Sequence, residues 1–357
     1  MRIISRRPPS GRRRAWLSLI SIGMLSSHSA AADDHAVILL YHHISETTPA
    51  STSVAPATFE RHLDYLAQES YTVMPLGELV EALVTNAALP ARAVALTFDD
   101  GYVSVYEEAL PQLERRNWPF TVFVATDYLD DGYTGFMSWD QLRDLERRGG
   151  TIANHSRDHA YLIRRDVGES QSAWRRRVRD NITASQARLD AELERPLPLF
   201  AYPYGEFDSA LETIVAELGY VGLGQQSGPV GSLSDLRHLP RFPMATGFDS
   251  LESLAEKLRT RPLPVTVLAP RSRVLETGAP PPELRVKLPA GPYRREALTC
   301  YVAGQDAALI QWLGDVATIR ARAPLGSGRS KYNCTAPSAS ETGIFYWYSH
   351  LWIVPPS

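Results

Sequence analysis

The stretch Arg92-Ala-Val-Ala-Leu-Thr-Phe-Asp-Asp-Gly-Tyr102 constrains this chain most, because an apolar run stops abruptly at two adjacent carboxylates and a glycine. Ala93, Ala95 and Thr97 alternate with Val94, Leu96 and Phe98, which predicts a buried strand whose side chains point to opposite faces in turn. Asp99 and Asp100 then stand at its end. Two carboxylates at the mouth of a core strand are costly to desolvate unless a cation meets them, either a metal ion or an arginine. Asp-Asp-Gly is also ordinary turn chemistry, and on these residues alone both readings stay open.

The rest of the chain supplies the setting. Strand-like runs at 36–41, 71–75, 92–98, 119–125, 151–153, 197–201 and 220–223 alternate with helical spacing at 59–68, 76–84, 106–116, 137–148, 173–193, 211–218 and 251–258. Such alternation predicts an α/β fold built on a parallel sheet or barrel. The character changes near Arg261-Pro-Leu-Pro264, beyond which prolines, glycines and short β-rich pieces at 265–268, 284–288, 307–312 and 343–348 dominate. We therefore expect a domain over 33–262 and a small all-β, sandwich-like domain over 263–357 that holds carbohydrate or a partner. Phe345, Tyr346, Trp347, Tyr348 and Trp352 have two readings, a sugar-stacking face or the core of an alternating strand.

Residues 1–32 differ from everything after them. Six arginines (Arg2, Arg6, Arg7, Arg12, Arg13, Arg14) precede an apolar stretch from Ala15 to Leu25, and the small residues Ser29 to Ala32 follow. This pattern predicts a cleaved secretory signal peptide; the apolar part is too short for an uncleaved anchor to span a bilayer. Arg6-Arg7 would suit a twin-arginine signal, but Pro8-Pro9 follow where an apolar residue is expected. Losing those arginines would make the net charge of −3 six units more negative. An acidic mature surface argues against nucleic acid and fits a neutral or cationic polymer. The expected location is periplasmic or secreted, with no membrane contact after cleavage. There Cys300 and Cys334 could form a disulfide across a loop, a pairing that sequence leaves open.

Reactive groups fall at three strand ends: Asp99-Asp100, His155 with His159, and Tyr202 to Gly205. In parallel α/β folds ligands bind at the carboxyl edge of the sheet, so these ends can converge. His155 and His159 are spaced so that two imidazoles can reach one ion. With one Asp they would make a three-ligand site that leaves positions open for water and substrate. Taken alone, the pair would instead be surface or core-capping histidines.

Thr97-Phe-Asp-Asp-Gly101, His155-Ser-Arg-Asp-His159 and the later Pro203-Tyr-Gly205 resemble the first three motifs of the polysaccharide deacetylases, the NodB-homology group or carbohydrate esterase family four. Within it, the pattern is most similar to the exported poly-N-acetylglucosamine deacetylases. The resemblance covers about residues 36–258 and implies a distorted (β/α) barrel that removes acetyl groups from N-acetylglucosamine polymers or acetylated xylan with a divalent metal, usually Zn2+. It implies Asp99 as general base, Asp100, His155 and His159 as metal ligands, and the Tyr204 backbone N–H as a donor to the developing oxyanion. For the general acid it offers His42, at the end of the first strand, ahead of His238 in Leu236-Arg-His238. His43 is expected on the opposite face, structural or in solvent. Where an arginine usually orients the base, this chain has Ala201 and Tyr202; Arg241 either supplies that cation from another strand or faces solvent. A fourth, aromatic motif is not located, and Tyr102 and Trp139 remain between sugar contact and, for Trp139, core. The expected partner is an N-acetylated polysaccharide in the cell envelope or outside the cell, with room for an envelope or biofilm polysaccharide-export partner. Two alternatives accompany this: an O-deacetylase of xylan or another acetylated polysaccharide, and a catalytically silent polysaccharide-binding protein.

Overall fold

The computed structural model describes residues 32–356, so the expected signal segment lies outside the described residues apart from Ala32. Strands β1 (His35–Tyr41), β2 (Ala93–Phe98), β3 (Phe120–Val124), β4 (Gly150–Asn154), β5 (Leu197–Ala201) and β6 (Val221–Leu223) lie side by side in sequence order, each parallel to the next. All six positions of β2 are buried, as its doubly apolar sequence requires. The sheet curls until its edges approach one another. Leu239 makes a parallel bridge to Leu223 beside β6, and three residues later the chain reaches β7 (Phe242–Pro243), which pairs in parallel with Leu39 and Leu40 of β1. The segment 239–243 thus sits in the seam of the barrel.

Helices α1 (Pro56–Gln68), α2 (Leu76–Thr85), α3 (Leu110–Glu114), α4 (Trp139–Arg147), α5 (Gln171–Glu192), α6 (Ser209–Glu217) and α7 (Leu251–Leu258) carry the crossovers and shield the sheet. Caps fix their starts: Ser138 and Gln141 form a reciprocal capping box on α4, and Asp208 accepts the Leu211 amide at the head of α6. The single helix expected at 106–116 is split. A π turn over Val105–Ala109 precedes α3, whose first turn holds Pro111, where a missing N–H is tolerated. Among the described residues no helix is long and apolar enough to cross a membrane.

Beyond α7, two four-stranded sheets pack over their own apolar cluster. One contains β8 (Arg261–Pro262), β11 (Thr299–Val302), β14 (Gly328–Pro337) and β15 (Phe345–Val354) in the order β8-β15-β14-β11. The other contains β9 (Thr266–Ala269), β10 (Glu283–Lys287), β12 (Leu309–Leu313) and β13 (Val316–Arg320) in the order β9-β10-β13-β12. Alternation sends Leu284 and Val286 inward and Glu283, Arg285 and Lys287 outward. Cys300 and Cys334 face each other across β11 and β14 and are bonded, so the disulfide staples adjacent strands rather than a loop. Strand β15 is buried on both faces. Trp352 and Val354 enter the sandwich core, while Leu351 and Ile353 join Tyr202, Phe207, Leu211 and Ile214 of the barrel. Tyr346 and Trp352 are therefore buried core residues rather than a sugar platform, Trp347 packs edge-on against Phe242 of β7, and only Phe345 of the five is substantially exposed.

Candidate active site

The C-terminal ends of β2, β4 and β5 deliver the three motifs to one rim. Asp99 is fully buried, and its two carboxylate oxygens each accept a hydrogen bond of 2.7 Å from the two terminal nitrogens of Arg241. Arg241 is equally buried; its Nε donates to the Gly224 carbonyl at 2.9 Å, and the Phe123 ring lies 5.3 Å from the guanidinium. The arginine that sequence left between base partner and solvent is thus an internal, bidentate partner of Asp99, placed there by the seam segment. Burial alone would raise the Asp99 carboxyl, but the charge and hydrogen bonds of Arg241, together with the His155 and His42 imidazoles, outweigh it and hold the group below its usual value.

Asp100 takes a left-handed backbone, φ 77°, which turns its side chain away from the Asp99 pocket. Its Oδ1 lies 3.1 Å from Nε2 of both His155 and His159. His155 Nδ1 stands 2.7 Å from the Ala201 carbonyl; because a carbonyl only accepts, Nδ1 carries the hydrogen and the neutral ring turns a lone pair on Nε2 toward Asp100. Neither that nitrogen nor Asp100 Oδ1 has a hydrogen-bond partner. Three ligand atoms within 4.8 Å of one another, aimed inward in a buried site, call for a cation between them. Two imidazoles and a carboxylate suit a divalent transition metal with open positions, so these residues fit the expected ion. The strength of the field is clear from the protein alone. Burial would lower the His155 imidazole, yet the Asp99 and Asp100 carboxylates raise it; burial would raise Asp100, yet His155 and His159 hold it well below the ordinary range.

Helix α5 shapes the turn that carries the histidines. Ser185 Oγ donates to the Ser156 carbonyl, the Arg157 amide donates to Asn181 Oδ1, and Asn181 Nδ2 donates to Asp158. From β4, Asn154 Oδ1 accepts the Ser156 amide at 2.8 Å. These residues were missed in the sequence, although a signal exists: Asn181 and Ser185 interrupt the buried stripe Trp174, Val178, Ile182, Leu189 of α5.

His42 follows β1 at the same rim. It is half-buried, and burial lowers its imidazole against the pull of Asp100 and Asp99, with Arg241 and His155 also acting on it. His238 is engaged elsewhere: Nδ1 meets Glu212 at 2.7 Å, Nε2 accepts from Arg273, and the ring stacks on Phe207. His43, expected on the face opposite His42, makes a structural contact. Its ring stacks on Tyr102 with the ring centres 3.5 Å apart. Tyr102 continues into Phe136 and Tyr128, an aromatic wall that sequence did not locate. Opposite it, Tyr204 (φ 59°) sets its ring against His159 at 4.4 Å and Tyr161 at 3.8 Å. Trp139 lies apart, half-buried on α4 and bonded to Asp130 beneath Arg188.

Comparison with known proteins agrees with this arrangement. A family model described as polysaccharide deacetylase matches residues 86–223. The chain is 24% identical over 243 residues to the poly-beta-1,6-N-acetyl-D-glucosamine N-deacetylase of Escherichia coli (strain K12), a match that takes in 58% of this chain and 36% of that protein. Among solved structures, the Streptococcus pyogenes deacetylase PplD in complex with acetate is 25% identical with a TM-score of 0.57, covering 64% of this chain and 99% of that one. IcaB from Ammonifex degensii, 24% identical with a TM-score of 0.56 over 64% of this chain and 98% of its own, shares the fold. Residues 86–223, which carry Asp99, Asp100, His155 and His159 to the rim of the curled sheet, are thus the part of the chain that matches the polysaccharide deacetylase family.

Proposed function

We propose that this protein is an exported, metal-dependent hydrolase that removes acetyl groups from an N-acetylglucosamine-containing polysaccharide. The observation that carries the reading is the contrast within one pair of carboxylates: Asp99 is tied to Arg241, while Asp100 Oδ1 stands beside Nε2 of His155 and of His159 without a hydrogen-bond partner. A divalent ion, Zn2+ by the character of its donors, would be held by Asp100, His155 and His159 and would polarise the acetyl carbonyl and acidify the attacking water. Asp99, kept ionised and oriented by Arg241, takes the proton of that water as its oxygen adds to the acetyl carbon. The Tyr204 backbone N–H donates to the carbonyl oxygen as it gains negative charge. His42 gives a proton to the nitrogen as the C–N bond breaks, so acetate and a free amine leave.

The aromatic groups on either side, Tyr102, Phe136 and Tyr128 against Tyr204 and Tyr161, suit the flat faces of a sugar chain. In this reading residues 33–262 form the catalytic domain and 263–357 a β domain fused to it. Export to the periplasm or the exterior is supported by the signal-like first 32 residues and by the Cys300–Cys334 bond. A membrane or cell-surface export machine would then be a natural neighbour.

Acetate release from poly-N-acetylglucosamine, chitooligosaccharides and acetylxylan by the zinc-loaded protein is the decisive measurement. Release from the first or second carries the proposal. Release from acetylxylan alone would make the enzyme an O-deacetylase, and sugar binding without release would make it a silent binding protein.

A further inference from the structure

The sandwich reaches into the rim of the barrel. Arg329 and Lys331 stand at alternate positions of β14, so both side chains leave the same face of the sheet. Arg329 donates to the backbone carbonyl of Tyr204 and, at 3.4 Å, to the side-chain oxygen of Gln225; its guanidinium lies 6.0 Å from the Tyr204 ring centre. Lys331 Nζ donates to the Gln225 carbonyl at 2.6 Å. Gln225 in turn backs the loop. A Cβ placed on Gly205 would fall 2.6 Å from Gln225 Cβ and 3.0 Å from its amide nitrogen, so this contact closes only on a glycine.

The loop needs holding. Tyr204 is a non-glycine residue in left-handed geometry, φ 59° and ψ 1°, a strained conformation that persists only when its surroundings over-determine it. Two backbone hydrogen bonds close the turn, from the Gly205 amide to Tyr202 and from the Glu206 amide to Pro203. The Tyr204 carbonyl is fixed from outside the barrel, by Arg329. Once that carbonyl and the following glycine are pinned between β14 and Gln225, Tyr204 has little freedom to rotate its own amide.

We infer that Arg329 and Lys331 are positioning residues for the deacetylation reaction: the C-terminal sandwich clamps the Tyr204–Gly205 loop and so aims the Tyr204 N–H at the substrate oxygen. The inference rests on the proposed role of that N–H. It makes the sandwich a working part of the catalytic centre rather than an appended binding module.

The test uses the full chain, loaded with zinc, in the variants Arg329→Ala, Arg329→Lys and Lys331→Gln. Each is assayed on chitooligosaccharide and on a small aryl acetate ester, with zinc content and Tm measured in parallel. An oxyanion donor contributes about 10²–10³ in kcat, and displacing it by about 1 Å without removing it should cost up to about 10². The expected result is a fall of that size in kcat on both substrates for Arg329→Ala, with KM and zinc content unchanged and partial recovery in Arg329→Lys. Lys331→Gln should show a smaller fall of the same kind. A rise in KM confined to the oligosaccharide would overturn the clamp in favour of direct sugar contact. A lowered Tm with kcat intact would overturn it in favour of simple docking of the two sheets. If the wild-type protein releases no acetate from any substrate, the functional reading itself falls; if the wild type is active and all three variants match it, the clamp falls alone.

Discussion

Two pockets side by side at the end of β2 treat the same side chain in opposite ways. The Asp99 pocket is closed: both oxygens are taken by one guanidinium, and the pair is fully buried with every strong bond made inside the protein. The Asp100 pocket opens toward the rim, and its carboxylate oxygen meets two imidazole nitrogens that leave the bonding incomplete. In the proposed mechanism the difference separates a charge that must keep its geometry through a proton transfer from one that must accept an exchangeable partner. Adjacent positions achieve this because φ of 77° at Asp100 sends the second side chain off on its own course.

Breaking the open pocket should have the largest effect. His155→Ala or His159→Ala should remove bound zinc, read by elemental analysis, and abolish acetate release; stoichiometric zinc in either variant would refute the ligand set. Next comes Asp99→Asn, for which kcat should fall about 10²–10⁴-fold, the usual contribution of a positioned base. Its zinc content should stay near that of the wild type, which is the sharpest separation of the two pockets; full turnover would show the base to be elsewhere. Arg241→Met should cost about 3–5 kcal/mol of stability in denaturant titration, because it strands a buried carboxylate. Combining it with Asp99→Asn should return much of that loss without returning activity, since two neutral groups then share the cavity.

The smallest effect concerns a third buried charge with no carboxylate in contact. Lys257 Nζ donates to the Phe248 carbonyl at 2.6 Å, and desolvation lowers it to about 8 despite the Asp249 charge nearby. The folded lysine therefore releases its proton earlier than the unfolded one. Between about pH 8 and the ordinary lysine range near 10.4 the unfolded state binds more protons, so this group adds stability as pH rises through that window. Lys257→Met should flatten that part of the stability–pH curve; an unchanged slope would assign it to other groups.

Much of the barrel was legible because burial on both faces leaves long apolar runs: β2 and β5 fall within a residue of where their sequences end. The rim was legible through its chemistry. Asp99, Asp100, His155, His159 and His42 meet there, and each stands immediately after or near the end of an apolar strand. Arg241 was ambiguous because its strand, Phe242–Pro243, has only two residues and gives no periodic signal. In the sandwich, β11, β13 and β14 escaped notice for a related reason. Gly328-Arg-Ser-Lys-Tyr-Asn-Cys-Thr-Ala-Pro337 alternates Tyr332, Cys334 and Ala336 toward the core with polar residues outward, and its inward set is small and mixed in character. Nor could pattern reading find the clamp, whose partners lie more than a hundred positions apart.

The seam segment has a consequence for when this enzyme comes to life. Asp99 and Arg241 are 142 residues apart in sequence, and the arginine arrives on the piece of chain that joins the first and last strands of the sheet. Every earlier strand can pair with its neighbour while Asp99 still lacks Arg241. Pairing of Asp99 with Arg241 is therefore a late, high-contact-order event, and loop closure of that span is slow compared with local helix and strand formation. Under the proposed mechanism, the chain remains catalytically mute until the barrel is shut. Recovery of acetate release during refolding should lag behind recovery of helical signal, so that activity serves as a clock for the last step of assembly.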